Sequence, residues 1–176
     1  MEGDQELLEK SIPAAAFIED VEAFMKNEES AEAALKRTQA NYSNYKMLEM
    51  KLQQNKMTLK TKLPDIEKAL EMVKYLASKK DSEVSTHFEV NEGLFARSTL
   101  TDVNTACLWL GANVMVEYTF EEAIALLTKN VDNCRANLRT IEKDLDFIKD
   151  QITTTEVNIA RIFNFDVKQR RAARGM

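Results

Sequence analysis

The strongest pattern in the chain is an apolar stripe in its C-terminal third. From Phe120, steps that alternate between four and three residues reach thirteen positions, of which twelve are apolar. An average spacing of 3.5 residues keeps such a stripe on one side when two helices supercoil in the left-handed sense. The stripe therefore predicts a coiled-coil helix over residues 119–167. Its positions are Phe120, Ile124, Leu127, Val131, Cys134, Leu138, Ile141, Leu145, Ile148, Ile152, Thr155, Ile159 and Ile162.

A less regular stripe predicts a second coiled-coil helix over residues 14–80. Asn55 and Lys62 occupy positions where apolar residues would pack more tightly, and such polar residues usually fix the register of a coil at a cost in stability. Pro64 leaves the phase of the stripe unchanged, which predicts a kinked helix and not a broken one. The heptad positions are Tyr45, Leu52, Leu59, Ile66 and Val73, alternating with Leu48, Asn55, Lys62, Ala69 and Leu76.

Residues 83–118, between the two stripes, have the alternation and the turn residues of β-hairpins. Residues typical of strands alternate with others at Val84, Thr86, Phe88 and Val90, and the turn sequence Asn-Glu-Gly follows at 91–93. A second pair of β-rich runs flanks Gly-Ala-Asn at 111–113. A chain that leaves through this region and returns at similar length folds its helices antiparallel. The predicted fold class is mainly α, a long antiparallel two-helix coiled coil with two β-hairpins inserted between the helices.

The predicted hairpins carry more apolar side chains than two small hairpins can bury by themselves. Uncovered apolar sheet faces and unpaired strand edges normally indicate a partner protein. We therefore expect the chain to be one subunit of an assembly that is held together through the hairpins. The residues assigned to this interface are Phe88, Val90, Leu94, Phe95, Leu108, Trp109, Leu110, Val114, Val116 and Tyr118.

The start of the first predicted helix and the end of the second are both rich in apolar residues. The antiparallel fold brings these two segments together. Phe163 and Phe165 cannot share one helix face with Ile162, so a two-helix seam cannot bury every ring. We expect an exposed apolar tip that binds unfolded chains without requiring a particular sequence. The residues assigned to the tip are Phe17, Ile18, Val21, Phe24, Met25, Ile159, Ile162, Phe163 and Phe165.

Composition and charge narrow the class of protein. The 176 residues have a formal net charge of −5, which gives no global attraction to nucleic acid. An acidic, disordered N-terminus is expected over residues 1–13 and a basic tail over residues 168–176. No apolar run reaches the roughly 18 residues of a membrane span, and the acidic residues 1–13 do not have the basic and hydrophobic regions expected of a secretory signal. These features predict a cytoplasmic protein and leave a nuclear location open.

The residue inventory gives no indication of an enzyme. Four glycines are too few for a phosphate-binding loop, and a single histidine, His87, excludes a multi-histidine metal site. Cys134 falls within the C-terminal stripe, where a thiol acts as a small apolar side chain, and Cys107 lies in a β-rich run. We expect no catalytic residue, no metal ligand set and no cofactor.

The order of elements and two sequence stretches resemble the α-class subunits of prefoldin. One stretch is residues 107–118, Cys-Leu-Trp-Leu-Gly-Ala-Asn-Val-Met-Val-Glu-Tyr. The other comprises residues 144–148, Asp-Leu-Asp-Phe-Ile, and residues 153–158, Thr-Thr-Thr-Glu-Val-Asn. The similarity extends over roughly residues 12–168, and it is most specific in these stretches.

The resemblance implies a heterohexamer of two α-class and four β-class prefoldin subunits, whose hairpins form a double β-barrel platform. It further implies that the ends of the coils hold non-native actin and tubulin. These clients pass to the cytosolic chaperonin without ATP hydrolysis by prefoldin itself. The von Hippel-Lindau protein is a further partner that the resemblance implies.

The heptad pattern alone supports a second interpretation, a coiled-coil scaffold or adaptor that tethers partner proteins and has no chaperone activity. The two hairpins favour the chaperone, because generic coiled coils rarely contain an insertion of this kind. A complex of six chains is expected for the chaperone, whereas a self-sufficient dimer is expected for the scaffold.

Overall fold

The computed structural model describes residues 14–80, 82–101 and 103–173. Two long helices enclose two antiparallel hairpins in the sequence, which confirms the predicted fold class. The acidic segment 1–13 lies outside the described residues. The elements are α1 (Val21–Met25), α2 (Ala31–Ser78), β1 (Val84–Asn91), β2 (Leu94–Leu100), β3 (Thr105–Gly111), β4 (Val114–Thr119) and α3 (Phe120–Ala173).

Helix α3 buries the apolar stripe that the sequence predicts. Ten of the thirteen positions are buried, and Ile124, Leu138 and Ile159 are half-buried. Thr155 is the one polar position of the stripe, and its hydroxyl donates a hydrogen bond to the carbonyl oxygen of Gln151 at 2.7 Å. The buried hydroxyl is thus satisfied within its own helix, which explains how a polar residue is accommodated there.

Helix α2 confirms the first set of predicted positions and three of the five alternate positions, because Leu48, Ala69 and Leu76 are half-buried. Its positions at residues 45, 52, 59, 66 and 73 are buried or half-buried, and the helix continues through Pro64 without a break. Asn55 and Lys62, however, are exposed, so their predicted place in the seam is wrong. Lys56 and Leu63, one residue further along, are half-buried instead.

The exposure of Asn55 and Lys62 has a simple energetic cause. On the side of α2 that includes Leu63, Leu70 and Ala77, four residues after positions 59, 66 and 73, all three side chains are half-buried. Turning this side toward the partner helix buries apolar area, at about 25 cal/mol per Å². It also leaves the amide of Asn55 and the ammonium of Lys62 in water, which avoids their desolvation cost.

The N-terminal helix does not begin at residue 14 as predicted. Residues 14–20 are not helical, and α2 begins only after α1 and the intervening residues 26–30. The Asp20 carboxylate accepts hydrogen bonds from two N–H groups of α1, at 2.8 and 3.1 Å. The Ser30 hydroxyl oxygen accepts one from the first turn of α2 at 3.1 Å. These two N-caps start separate helices. The apolar stripe continues through both caps, so the pattern alone predicted a single helix.

The chain divides into two compact units, and the two long helices pair antiparallel in each. In the first unit the Tyr42 hydroxyl donates to the Glu156 carboxylate at 2.9 Å, and this bond raises the pKa of the Tyr42 phenol. Lys56 forms an ion pair with Glu142 at 2.8 Å in the same unit. The later residue of α2 thus contacts the earlier residue of α3, as expected for antiparallel helices. The units are Met1–Met57 with Arg139–Met176, and Thr58–Leu138.

In the second unit the Cys134 thiol contacts the carbonyl oxygen of Leu59 at 3.7 Å. Further along α2, Val73 packs with the start of α3 in a buried cluster. The burial of Cys134 confirms that its thiol belongs to the seam. The cluster consists of Val73, Phe120, Ala123 and Leu127.

Strand β4 passes directly into α3 without a loop. Thr119 ends the strand and caps the helix, and its N–H and hydroxyl both donate to a Glu122 carboxylate oxygen, at 3.1 and 2.8 Å. The Glu122 N–H donates back to the Thr119 hydroxyl oxygen at 3.3 Å. This reciprocal arrangement is a capping box. The bonds from Thr119 hold the pKa of the Glu122 carboxyl below its ordinary value.

The other end of α3 extends further than predicted. The helix continues to Ala173, so Lys168, Arg170 and Arg171 are helical and do not form a separate tail. Arg170 forms an ion pair with Asp166 at 2.9 Å, one turn earlier. Basic side chains in the last turn of a helix are favoured by the helix dipole, which accounts for the extension.

Candidate functional site

The hairpin formed by β3 and β4 has two unlike faces. Pairing places Ala106 opposite Tyr118 and Leu108 opposite Val116 on one face, and all four side chains are half-buried. Ala106, Leu108 and Tyr118 pack against the buried cluster of Val73 and α3. Part of the predicted interface therefore belongs to the core of this chain.

The opposite face of the same hairpin is open. Trp109 lies opposite Met115, and their side chains are 64% and 47% exposed. Cys107 is also exposed on this face, opposite Glu117. Leu108, Trp109 and Val116 were all expected at the interface, but strand alternation places Leu108 and Val116 on one face of the hairpin and Trp109 on the other. The exposed face centres on Trp109.

The hairpin formed by β1 and β2 exposes aromatic rings on both faces. Phe88 pairs with Ala96, whereas the next pair is Glu89 with Phe95, so the two rings point to opposite sides. Both rings are more than half exposed. The solvated position expected for His87 also agrees with the structure, because that side chain is exposed.

Most of the residues assigned to the interface are thus uncovered in this chain. The exposed ones are Phe88, Val90, Leu94, Phe95, Trp109, Leu110 and Val114, and the half-buried ones are Leu108, Val116 and Tyr118.

The residues assigned to the tip differ widely in exposure. Phe17 and Phe163 are 51% and 54% exposed and present open rings. Ile162 is fully buried at 0%, so it lies in the core and not on the surface predicted for it. It continues the stripe of α3 that packs against the rest of the first unit. The half-buried residues are Ile18, Val21, Phe24, Met25, Ile159 and Phe165.

The non-helical residues 14–20, here called the strap, are held against α3 by its side chains. The Ala15 N–H donates to the Gln151 side-chain oxygen at 2.7 Å. The Ile18 N–H donates to the side-chain oxygen of Asn158 at 3.0 Å, and the side-chain nitrogen of Asn158 donates to the Ala16 carbonyl at 2.8 Å. One asparagine therefore contacts the strap backbone with both ends of its amide.

Arg161 makes two further contacts with the strap. Its guanidinium donates to the Glu19 carbonyl oxygen at 2.7 Å and lies 5.1 Å from the centre of the Phe17 ring. The second contact is a cation–π interaction, which is worth about 0.5–1 kcal/mol at an exposed site. Arg161 thus extends the line of strap contacts by one turn beyond Asn158.

The contacts of Gln151 and Asn158 with the strap were not expected from the sequence. Both side chains are polar, yet they are only 8% and 4% exposed. Their spacing was the available signal, because residues seven apart lie on one side of a coiled-coil helix. Long polar side chains at that spacing beside the seam can contact a third segment.

A cavity of about 330 Å³ lies between the strap and the two long helices. Ala14, Ala15 and Ala16 of the strap line it, together with Tyr45 of α2 and Thr155 of α3. The small strap side chains leave this volume unfilled.

Residues 14–80, 82–101 and 103–173 were compared with the requirements of a metal site and of a membrane-spanning helix. No group of three or more His, Cys, Asp or Glu side chains in these ranges could hold a metal ion. Within the same ranges, neither long helix has an apolar stretch long enough to cross a membrane.

Comparison with known proteins gives one consistent result. A family model described as "Prefoldin subunit" matches residues 45–165. "Prefoldin subunit 3" of Mus musculus is 45% identical over 172 residues, which cover 96% of this chain and 88% of the relative. The protein of that name from Homo sapiens is also 45% identical, with 96% and 87% covered.

A more distant relative is "Probable prefoldin subunit 3" of Schizosaccharomyces pombe. It is 37% identical over 162 residues, which cover 92% of this chain and 94% of the relative. The resemblance to prefoldin subunits that was inferred from the sequence is confirmed by these relatives.

Proposed function

Because this chain belongs to the prefoldin subunit family, we propose that it is one subunit of a heterohexameric co-chaperone that binds non-native proteins without ATP. In this proposal the hairpins join it to other α-class and β-class prefoldin subunits in the cytosol. The apolar side chains assigned to the tip hold unfolded chains, actin and tubulin among them.

The observation that carries the proposal is the exposure of the apolar hairpin residues. Phe88, Phe95 and Trp109 are each more than half exposed. Fully burying a large apolar side chain stabilises a protein by about 1.5–3 kcal/mol. Large apolar side chains exposed on both hairpins fit an interface better than a surface in water.

Client binding at the tip is supported by the open rings of Phe17 and Phe163. The two residues come from opposite ends of the chain, and both belong to the first compact unit. Exposed aromatic rings offer large apolar area with few rotatable bonds, which suits contact with many different sequences. Delivery to the cytosolic chaperonin, the identity of the clients and binding of the von Hippel-Lindau protein rest on the family resemblance alone.

Replacement of Trp109 by aspartate tests the assembly. The variant places a charge at the centre of the open face of β3 and β4, so its burial against a neighbouring subunit is strongly disfavoured. We expect Trp109→Asp to be absent from the six-chain complex when it is co-expressed with the other prefoldin subunits. Native mass spectrometry measures the complex, and circular dichroism checks that the helical content is kept.

Met57→Asp is the matched control. Met57 is an exposed apolar residue of α2 that lies outside the hairpins, so this variant should enter the complex normally. Normal entry of Trp109→Asp into the complex would contradict the proposed interface. A dimer of this chain alone, formed in place of a six-chain complex, would support the scaffold interpretation instead.

A further inference from the structure

The strap is recognised through its backbone. The four hydrogen bonds that α3 makes with it involve the N–H groups of Ala15 and Ile18 and the carbonyl groups of Ala16 and Glu19. These main-chain groups are present in nearly every polypeptide sequence, since only proline lacks the N–H. The side chains on α3 therefore form a set of contacts that an extended chain of another sequence can also make.

The spacing of these contacts matches an extended chain. Gln151 and Asn158 are seven residues apart on α3, which corresponds to about 10.5 Å along a helix. Their strap partners Ala15 and Ile18 are three residues apart, which corresponds to about 10 Å in an extended chain. The two repeats coincide, so a segment that runs parallel to α3 meets both amides in register.

Asn158 imitates a neighbouring β-strand. Its amide accepts from the N–H of Ile18 and donates to the carbonyl of Ala16, so it brackets Phe17. A residue of a parallel strand makes the same two bonds with its neighbour. Asn158 is almost completely buried, which removes competition from water and strengthens both bonds.

The strap itself is a weak occupant of this position. Three of its residues are alanines, and the adjoining cavity of about 330 Å³ is left unfilled. A segment with larger apolar side chains would bury more area in the cavity while keeping the same backbone bonds. An unfolded protein contains many such segments.

We propose that Gln151, Asn158 and Arg161 form a backbone-reading site for extended polypeptide. The strap occupies this site in the resting chain, and a segment of an unfolded protein takes its place. The inference rests on the proposed function and specifies what is recognised, namely the main chain of an extended segment with side chains larger than alanine.

The test uses the six-chain complex that contains the full chain. Reduced and carboxymethylated α-lactalbumin, labelled with fluorescein, serves as a permanently unfolded probe, and fluorescence anisotropy gives its dissociation constant. Ala15→Pro removes the N–H that donates to Gln151 and leaves α3 unchanged. Because the site is then open more often, we expect the probe to bind about fivefold more tightly.

Ala16→Pro is the matched control. The Ala16 N–H makes no hydrogen bond with any described residue, and its carbonyl, which Asn158 contacts, is kept. The affinity for the probe should stay within about twofold of the wild type.

Asn158→Ala is expected to change the affinity for the probe in the opposite direction. This variant also loosens the strap, but it removes the site itself, so the probe should bind about fivefold more weakly. Gln151→Ala, with the same expected direction, takes its place if circular dichroism indicates that Asn158→Ala has lost helix. The inference thus predicts tighter binding when the strap is altered and weaker binding when α3 is altered.

Failure of the proposed function and failure of this inference give different results in the binding experiment. A wild-type complex that does not bind the probe would overturn the proposed function and this inference together. A wild-type complex that binds the probe, with Ala15→Pro equal to Ala16→Pro or weaker than it, would overturn the backbone-reading site and leave the proposed function standing.

Discussion

Ala112 has a backbone conformation that usually belongs to glycine or asparagine. Its φ is 49°, in the left-handed region, and the next residue, Asn113, has φ 61°. Asparagine tolerates this region well, whereas the Cβ of an alanine there costs about 1–2 kcal/mol. The tight turn between β3 and β4 is therefore formed at some cost in stability.

We expect Ala112→Gly to stabilise the chain. Relief of the strain exceeds the entropy that a glycine loses on folding, which leaves a gain of about 0.5–1 kcal/mol. The urea concentration at the midpoint of unfolding measures this gain. Ala96→Gly is the control, because Ala96 is an exposed strand residue without a positive φ, and its replacement should lower the midpoint. A midpoint that falls in both variants would contradict the strain at Ala112.

At the scale of the element, the capping box makes the start of α3 sensitive to acid. Hydrogen bonds from the Thr119 hydroxyl and N–H hold the pKa of Glu122 below its ordinary value of 4.5. A lowered pKa means that the folded chain favours the charged carboxylate, so the stabilisation is present above the unfolded value. It is lost as the pH falls through the folded pKa.

Glu122→Ala should therefore lower Tm more at pH 7 than at pH 3. Thermal unfolding followed by circular dichroism measures the difference between variant and wild type at each pH. Glu121→Ala removes a neighbouring acid of the same first turn and is the control, with a smaller expected effect at pH 7. A difference for Glu122→Ala that is the same at both values of pH would exclude the capping box as its cause.

The long helix α3 could be predicted nearly position by position because its stripe is almost uninterrupted. Only Thr155 is polar among the thirteen positions, and even it is buried. In α2 the expected seam fails at its two polar positions, Asn55 and Lys62, which are exposed. Leu63 is half-buried beside the exposed Lys62, because burial favours the leucine whereas it would cost the ammonium its hydration.

The strap could not be predicted from periodicity. Residues 14–20 contain apolar side chains at spacings that also fit a helix, and no strand in the described part of the chain pairs with them. Its hydrogen bonds go to side chains of Gln151 and Asn158, about 140 residues away, and not to a β-ladder. The cap at Asp20 was the local signal that the helix starts later.

At the scale of the whole molecule, the proposed function predicts that the open rings of the tip contribute to the binding of unfolded chains. Phe163 is 54% exposed and does not belong to the strap, so its replacement changes apolar area without altering the hydrogen bonds between the strap and α3. Phe17 is unsuitable for this purpose because it also contacts Arg161. Phe163 therefore isolates the contribution of the tip.

We expect Phe163→Ser to weaken the affinity of the six-chain complex for unfolded actin by about two- to fivefold, as for an interface residue of moderate importance. Light scattering during dilution of actin from denaturant measures how well aggregation is suppressed. Met50→Ser changes an exposed apolar residue of α2 and should leave the suppression unchanged. Equal suppression by the wild type and Phe163→Ser would remove this ring from the client-binding tip.

The direct junction of β4 with α3 has a consequence for assembly. Thr119 is the last residue of the strand and the cap of the helix, so no flexible residue separates the two. In the proposed assembly, a neighbouring subunit that fixes the orientation of this hairpin would therefore also fix the direction in which the first turns of the helix leave it.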